Sequence, residues 1–190
     1  MSAAATSGAA WSPELYARAY RFAAQAHQGQ TVPGTELPYL LHVGLVAMEV
    51  IAALGHPPER DGDLAVACAL LHDVLEDTAV TYDQLTAEFD AAVAQGVRAL
   101  SKDPTLERAA QMPDSLRRIS QQPHEVWMVK LADRITNLAP PPAYWTPAKI
   151  AAYREEAIAI HHELGVADTY LAARLGDKIE AYRVYLQRHG

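Results

Sequence analysis

The segment Leu70-Leu71-His72-Asp73-Val74-Leu75-Glu76-Asp77 puts an imidazole and three carboxylates at the end of an apolar run. If it is helical, Asp73 lies beside Glu76 and Asp77, at spacings of four or fewer residues. Like charges so placed cost roughly 0.2–0.5 kcal/mol per pair even in water, and more when desolvated. A bound cation accounts for the crowding. Adjacent His72 and Asp73 diverge by about 100° around a helix, so they share an ion only at the helix edge, and other ligands must come from elsewhere. His42, in Pro38-Tyr-Leu-Leu-His42, and Asp133, in Val129-Lys-Leu-Ala-Asp133, are the candidates, with Asn137 one turn beyond Asp133. Two imidazoles and two carboxylates make a mixed nitrogen and oxygen site, which suits Mn²⁺, Fe²⁺ or Zn²⁺ better than Ca²⁺ or Cu⁺. Such an ion lowers the pKa of bound water and polarises a substrate oxygen placed on it. A carboxylate one turn away can take the water's proton, and crowded carboxylates include one with a raised pKa.

The elements that must position these groups read as helices. Ser12-Pro13 supplies an N-cap and a first-turn proline, and Leu15, Ala19, Phe22, Ala23 and Ala26 form one stripe, ending near Gly29. Residues 30–38 are a loop. Helices follow over 39–54, stopped by Gly55 and Pro57-Pro58, and over 61–76, whose apolar middle makes it the central buried helix. Thr81 caps a short helix to Phe89, and another covers 91–100. A polar helical stretch runs to about residue 120, interrupted at Pro113. Helices over 123–138, 147–164 and 166–188 complete the chain, the first of these stopped by Pro140-Pro141-Pro142. Alternating strand patterns and Asn-Gly turns are missing. The expectation is an all-α fold: a short disordered tail at 1–10 and a single domain from 11 to 190.

Five segments then recur in a known order. They are Ala26-His27-Gln-Gly29-Gln30; Pro38-Tyr39 with His42; Ala69-Leu-Leu-His72-Asp73 with Glu76-Asp77-Thr78; Ala99-Leu-Ser-Lys102; and Val129-Lys130-Leu-Ala-Asp133-Arg134 with Asn137. With them the sequence resembles the HD superfamily of metal-dependent phosphohydrolases, and in particular the hydrolase domain of the RelA/SpoT homologues and their small stand-alone members. The likeness spans roughly residues 13–164, and the His-Asp-x-x-Glu-Asp element is its most discriminating part. It implies a helical bundle of the HD-domain type with about eight to ten helices. The implied reaction is removal of the 3′-pyrophosphate from (p)ppGpp, giving GDP or GTP and pyrophosphate, usually with one Mn²⁺. On this resemblance His42, His72, Asp73 and Asp133 are metal ligands, while Glu76 and Asp77 handle the water and its protons. Asn137, Lys130, Arg134, Lys102 and Gln30 then contact substrate. Arg117 and Arg118 are further phosphate partners or a solvated face.

One departure affects the base. Val32 stands where the family carries a stacking basic residue, and Val32 cannot stack as a guanidinium does. Lost stacking of about 1–3 kcal/mol weakens base recognition without touching hydrolysis. Another nucleotide (ppApp, NADPH or a 3′-phosphorylated nucleotide) therefore stays open as substrate, as does a nucleotide-sensing domain without turnover. Of the remaining residues, His27 reads as structural, Cys68 as packing, and His161, His162 and His189 as surface residues.

The 190 residues are 50% hydrophobic and 21% charged, which is globular composition. Acids outnumber bases 23 to 16, for a net charge of −7, which argues against a nucleic-acid polymer as partner. The single cysteine excludes an internal disulfide, and no run approaches the ~20 apolar residues of a membrane span. The expectation is a cytoplasmic monomer or homodimer acting on a small nucleotide, with no membrane partner.

Overall fold

The computed structural model describes residues 11–56 and 60–187. The expectations for the 1–10 tail, for Pro57-Pro58 and for His189 lie outside the described residues. The helices are α1 (Pro13–Ala26), α2 (Leu40–Leu54), α3 (Gly62–Leu71), α4 (Val74–Asp77), α5 (Tyr82–Glu88), α6 (Ala91–Leu100), α7 (Arg108–Ile119), α8 (His124–Asn137), α9 (Pro147–Leu164), α10 (Thr169–Ala181) and α11 (Val184–Gln187). A 3₁₀ turn, Gly165–Ala167, joins α9 to α10. No strand forms among the described residues, although one antiparallel bridge, Thr31 to Pro38, closes the loop between α1 and α2.

Local chemistry sets most boundaries. The Ser12 hydroxyl accepts the Leu15 N–H at 3.2 Å to open α1. Thr81 and Gln84 form a capping box at α5, and the Asp90 carboxylate caps α6.

Three boundaries differ from the sequence reading. The helix expected over 61–76 stops at Leu71, turns through His72 and Asp73, and resumes as α4. Adjacent side chains on an unbroken helix diverge, and the turn brings His72 and Asp73 together. The interruption at Pro113 does not occur: α7 continues through it. The proline and Ala109, whose carbonyl loses its usual donor, are both exposed, so water can replace the missing bond. The last helix starts late, where Asp168 accepts the Leu171 N–H at 2.9 Å, and breaks at Tyr182 before α11.

At the centre, α3 packs against α1, α2, α6 and α8, and α2 and α8 also pack on each other. Every α3 residue except Asp63 is buried. Leu70 and Leu71 are fully enclosed, each stabilising the fold by roughly 1.5–3 kcal/mol. Helix α6 reaches this core through Gly96, where a Cβ would lie 2.7 Å from Cys68 Sγ and 3.0 Å from Val126. Cys68 is thus a packing residue, and burial pushes its thiol pKa up. Because α2, α3 and α8 pack on one another, the start of α2, the end of α3 and the last turns of α8 can share one site.

Candidate metal centre and the two clefts beside it

His42 sits in the first turn of α2, His72 caps α3, Asp73 precedes α4, and Asp133 lies one turn before the end of α8. The donor atoms of His42, His72 and Asp133 all fall within 4.8 Å of one another. The two imidazole Nε2 atoms are 3.2 Å apart, and His42 Nε2 is 3.5 Å from Asp133 Oδ1. Asp73 Oδ2 adjoins both rings, at 2.8 Å from His72 Nε2 and 3.7 Å from His42 Nε2.

Hydrogen bonds on the far side of each ring fix which nitrogen faces inward. His72 Nδ1 donates to the Ala69 carbonyl at 2.8 Å. The Thr136 hydroxyl donates to the Asp133 carbonyl at 2.9 Å and so accepts from His42 Nδ1 at 3.3 Å. Both Nε2 atoms therefore present lone pairs to the same point, beside two carboxylates. Such an arrangement needs a positive charge at its centre. The mixed nitrogen and oxygen donors and the oriented rings fit a divalent ion.

Burial alone would lower the His72 pKa, but Asp73 beside it and Asp133 outweigh burial and push it up to about 9. Burial opposes ionisation of the two acids, yet both stay ionised. Asp73 is held well below the carboxylate range by His72 and by the Tyr39 hydroxyl, which donates at 2.5 Å. Asp133 is held low by Lys130 and the histidines.

The residues expected to contact substrate are largely committed to this machinery. Lys130 Nζ bonds Asp133 Oδ2 at 3.1 Å, and Asn137 Nδ2 donates to Asp133 Oδ1 at 2.5 Å. Lys102 embraces Glu76, its backbone N–H and its ammonium each donating at 2.8 Å. Arg134 is buried, lies over the Tyr153 ring, and bonds the Tyr153 carbonyl and Glu156. Gln30 spans His27 Nδ1, at 2.8 Å, and the Asp77 carbonyl, at 2.7 Å, tying the end of α1 to α4. Arg117 and Arg118 pair with Asp114, away from the centre. The Asp77 carboxyl, partly desolvated and next to Asp73 and Glu76, is pushed up to about 6.

Two clefts flank the ligands and meet at Asn137, Trp145 and Tyr153. One, of about 810 Å³, is polar: Glu76, Lys102, Lys130, Asp133 and Arg134 line it together with Arg108 and Lys149. The other, of about 490 Å³, is an apolar slot walled by Val32, Leu41, Leu45 and Pro140 to Pro142, with His42 at its metal end. Gly34, at φ +81°, supports this wall; a Cβ there would lie 3.1 Å from Pro142.

Sequence reasoning missed several lining groups. Tyr39 lies one turn before His42, a spacing that could have flagged it. Lys149 lies four residues after Trp145 and rests on its ring at 4.2 Å. Arg108, Thr136 and Tyr182 carry no local signal, since only packing of distant helices brings them here. His27 is buried against Tyr39, in keeping with a structural role. His161 bonds the Ala172 carbonyl and His162 faces Glu163, both remote from the ligands.

The profile of the HD domain family matches residues 19–179. A zebrafish (Danio rerio) protein, the guanosine-3′,5′-bis(diphosphate) 3′-pyrophosphohydrolase MESH1, is 31% identical over 139 residues, covering 70% of this chain and 75% of that protein. The bifunctional (p)ppGpp synthase/hydrolase SpoT of Escherichia coli is 36% identical over 127 residues, which are 64% of this chain but only 17% of that protein. A solved structure described as a metazoan ortholog of SpoT that hydrolyzes ppGpp superposes with a TM-score of 0.78 at 23% identity, over 90% of this chain and 96% of that one.

Proposed function

This chain belongs to the HD domain family, and from that premise we propose that it is a metal-dependent hydrolase that removes the 3′-pyrophosphate of (p)ppGpp-like alarmones in the cytoplasm. The observation that carries the reading is the pair of inward Nε2 atoms 3.2 Å apart, each fixed by an acceptor on Nδ1 and flanked by Asp73 and Asp133. Similarity to MESH1 over three quarters of that protein supplies the substrate class.

His42, His72, Asp73 and Asp133 would hold one divalent ion, for which their two imidazoles and two carboxylates suit Mn²⁺, Fe²⁺ or Zn²⁺, and of these the family resemblance favours Mn²⁺. When bound, the ion acidifies water and polarises the phosphoryl oxygen. The chain's own groups do the rest. Lys130 and Asn137 fix the Asp133 carboxylate. Glu76, held at both oxygens by Lys102, takes the proton of the attacking water. The bond from phosphorus to the ribose O3′ breaks, and Asp77, whose carboxyl is pushed up to about 6, is the reserve of a proton for the departing oxygen. The polar cleft receives the phosphates. Arg108 and Lys149 meet them there, because Lys102, Lys130 and Arg134 are already paired with acids. The apolar slot, joined to that cleft through Asn137, receives the nucleoside.

The test is product analysis with Mn²⁺ on ppGpp, ppApp, NADPH and a simple 3′-nucleotide at equal concentration. Pyrophosphate released from ppGpp is expected. Turnover of another nucleotide with ppGpp inert would transfer the same machinery to a different substrate. Silence across the set, with metal bound, would make the protein a nucleotide sensor.

A further inference from the structure

The side chain of Asp73 has no local anchor. Ser12, Asp61, Thr81, Asp90, Thr146 and Asp168 stand at the starts of helices, and each accepts a backbone N–H of the turn that follows. Asp73 stands at the start of α4 and accepts none. Its backbone is near-helical, at φ −104° and ψ −2°, rather than extended as a cap usually is. Among the described residues, two groups lie within hydrogen-bonding distance of its carboxylate. They are His72 Nε2, at 2.8 Å from Oδ2, and the Tyr39 hydroxyl, which donates to the same oxygen at 2.5 Å. With the His72 lone pair given to an ion, the tyrosine is the donor that remains. Asp133 is secured differently, since it keeps both Lys130 and Asn137. The Asp73 side chain is also 19% exposed, against 11% for Asp133, so water can draw it away once it is released.

Tyr39 itself is tightly held. Its backbone N–H donates to the Gln30 carbonyl at 2.9 Å, and Thr31 bridges to Pro38, so the loop between α1 and α2 closes on the residue before α2. Its ring packs between His27 and His42, with centroids 4.9 Å and 5.2 Å away. We propose that Tyr39 is a positioning residue of the metal centre: its hydroxyl, delivered from this closed loop, holds the Asp73 carboxylate in the orientation in which it can serve as a ligand. The inference rests on the reading of Asp73 as a ligand. A carboxylate restrained before the ion arrives loses less freedom on binding it. Outer partners of metal ligands act in this way, and losing one typically costs about 10–100-fold in metal affinity. Phenylalanine at this position keeps the ring and its packing but offers no proton.

The experiment is calorimetric titration of the metal-free full chain with Zn²⁺, with thermal melting of the same samples. Zn²⁺ binds such donors more tightly than Mn²⁺, so weakened sites stay measurable. Tyr39→Phe should lose about 10–100-fold in affinity, while the metal-free chain melts close to the wild-type temperature. In an Asp73→Ala background the same change should cost nothing further, because the hydroxyl acts only through that carboxylate. A hydroxyl with only a structural role gives another signature: the variant melts lower and binds Zn²⁺ like wild type, which would overturn the proposal. An equal loss in both backgrounds would overturn it too. Should Tyr39→Phe fail to fold, Tyr39→Leu must show the same loss, and the loss must again vanish with Asp73→Ala. Wild-type affinity in Tyr39→Phe with weakened binding in Asp73→Ala would remove this proposal and leave Asp73 a ligand. Wild-type affinity in Asp73→Ala would remove the ligand reading, and the proposal with it.

Discussion

The polar cleft and the apolar slot share Asn137, Trp145 and Tyr153, yet they are built on opposite plans. Along the polar cleft each acid already has a partner: Glu76 with Lys102, Asp133 with Lys130, and Glu156 with Arg134. Along the slot there is no ionised pair. The chemical end is organised before substrate arrives, which avoids reorganisation during reaction. The slot, proposed to seat the nucleoside, has no such network of paired charges, so affinity there should depend on shape and contact area. Changes at the first should therefore abolish metal or turnover, and changes at the second should tune selectivity.

The largest effect is expected from Asp133→Ala. It removes a ligand and strands buried Lys130, so bound metal measured by elemental analysis should vanish and pyrophosphate release should fall by at least about 10³-fold. Metal retained at wild-type level would detach Asp133 from the centre. Glu76→Gln comes next. It keeps the shape beside Lys102 and should leave metal content intact while lowering kcat by about 10²–10⁴. Undiminished turnover would move the base elsewhere.

A pH titration of metal affinity sharpens the same contrast. Asp73 and Asp133 push the His72 pKa up to about 9, above the ordinary imidazole value of 6.5, so below that pH the ring should carry a proton. The ion must displace that proton. Apparent affinity should thus rise about tenfold per pH unit between roughly 7 and 9 and level off above. A flat profile over that range would show that His72 is already neutral. Val32→Arg is the smallest change expected. A guanidinium on the slot wall should tighten GDP binding by about tenfold through stacking, and unchanged affinity would place the base outside the slot.

Much of the metal centre could be read from the chain because its parts are local patterns. An acid-rich turn after an apolar run is costly without a cation, so His72, Asp73, Glu76 and Asp77 announced themselves. His42 and Asp133 followed as lone polar residues in apolar helical stretches. Asn137 was found one turn from Asp133, and it bonds the Asp133 carboxylate while lining both clefts. Lys102 and Lys130, expected to contact substrate, also line the polar cleft, where they are paired with Glu76 and Asp133. A sequence shows that a cation is available, not which acid reaches it first. Of the slot, the sequence singled out Val32, His42 and Asn137, without indicating the wall they share. Tyr182 lies 150 residues from Val32, and no periodicity links a loop after α1 to the end of α10.

By itself, then, the sequence determined the helical architecture, since the 3.6-residue apolar stripe, the caps and the prolines act within a few residues. It also pointed to the candidate ligands, since imidazole and carboxylate chemistry is a property of residue type. Tertiary structure decided the rest. The turn at His72-Asp73 had to break a helix before neighbouring ligands could converge. Packing of α2, α3 and α8 brought His42 Nε2 to 3.2 Å from His72 Nε2. The walls of the slot came from helices far apart in the chain. Convergence and burial depend on distances between segments, and those distances are set by how helices pack, which no single segment encodes.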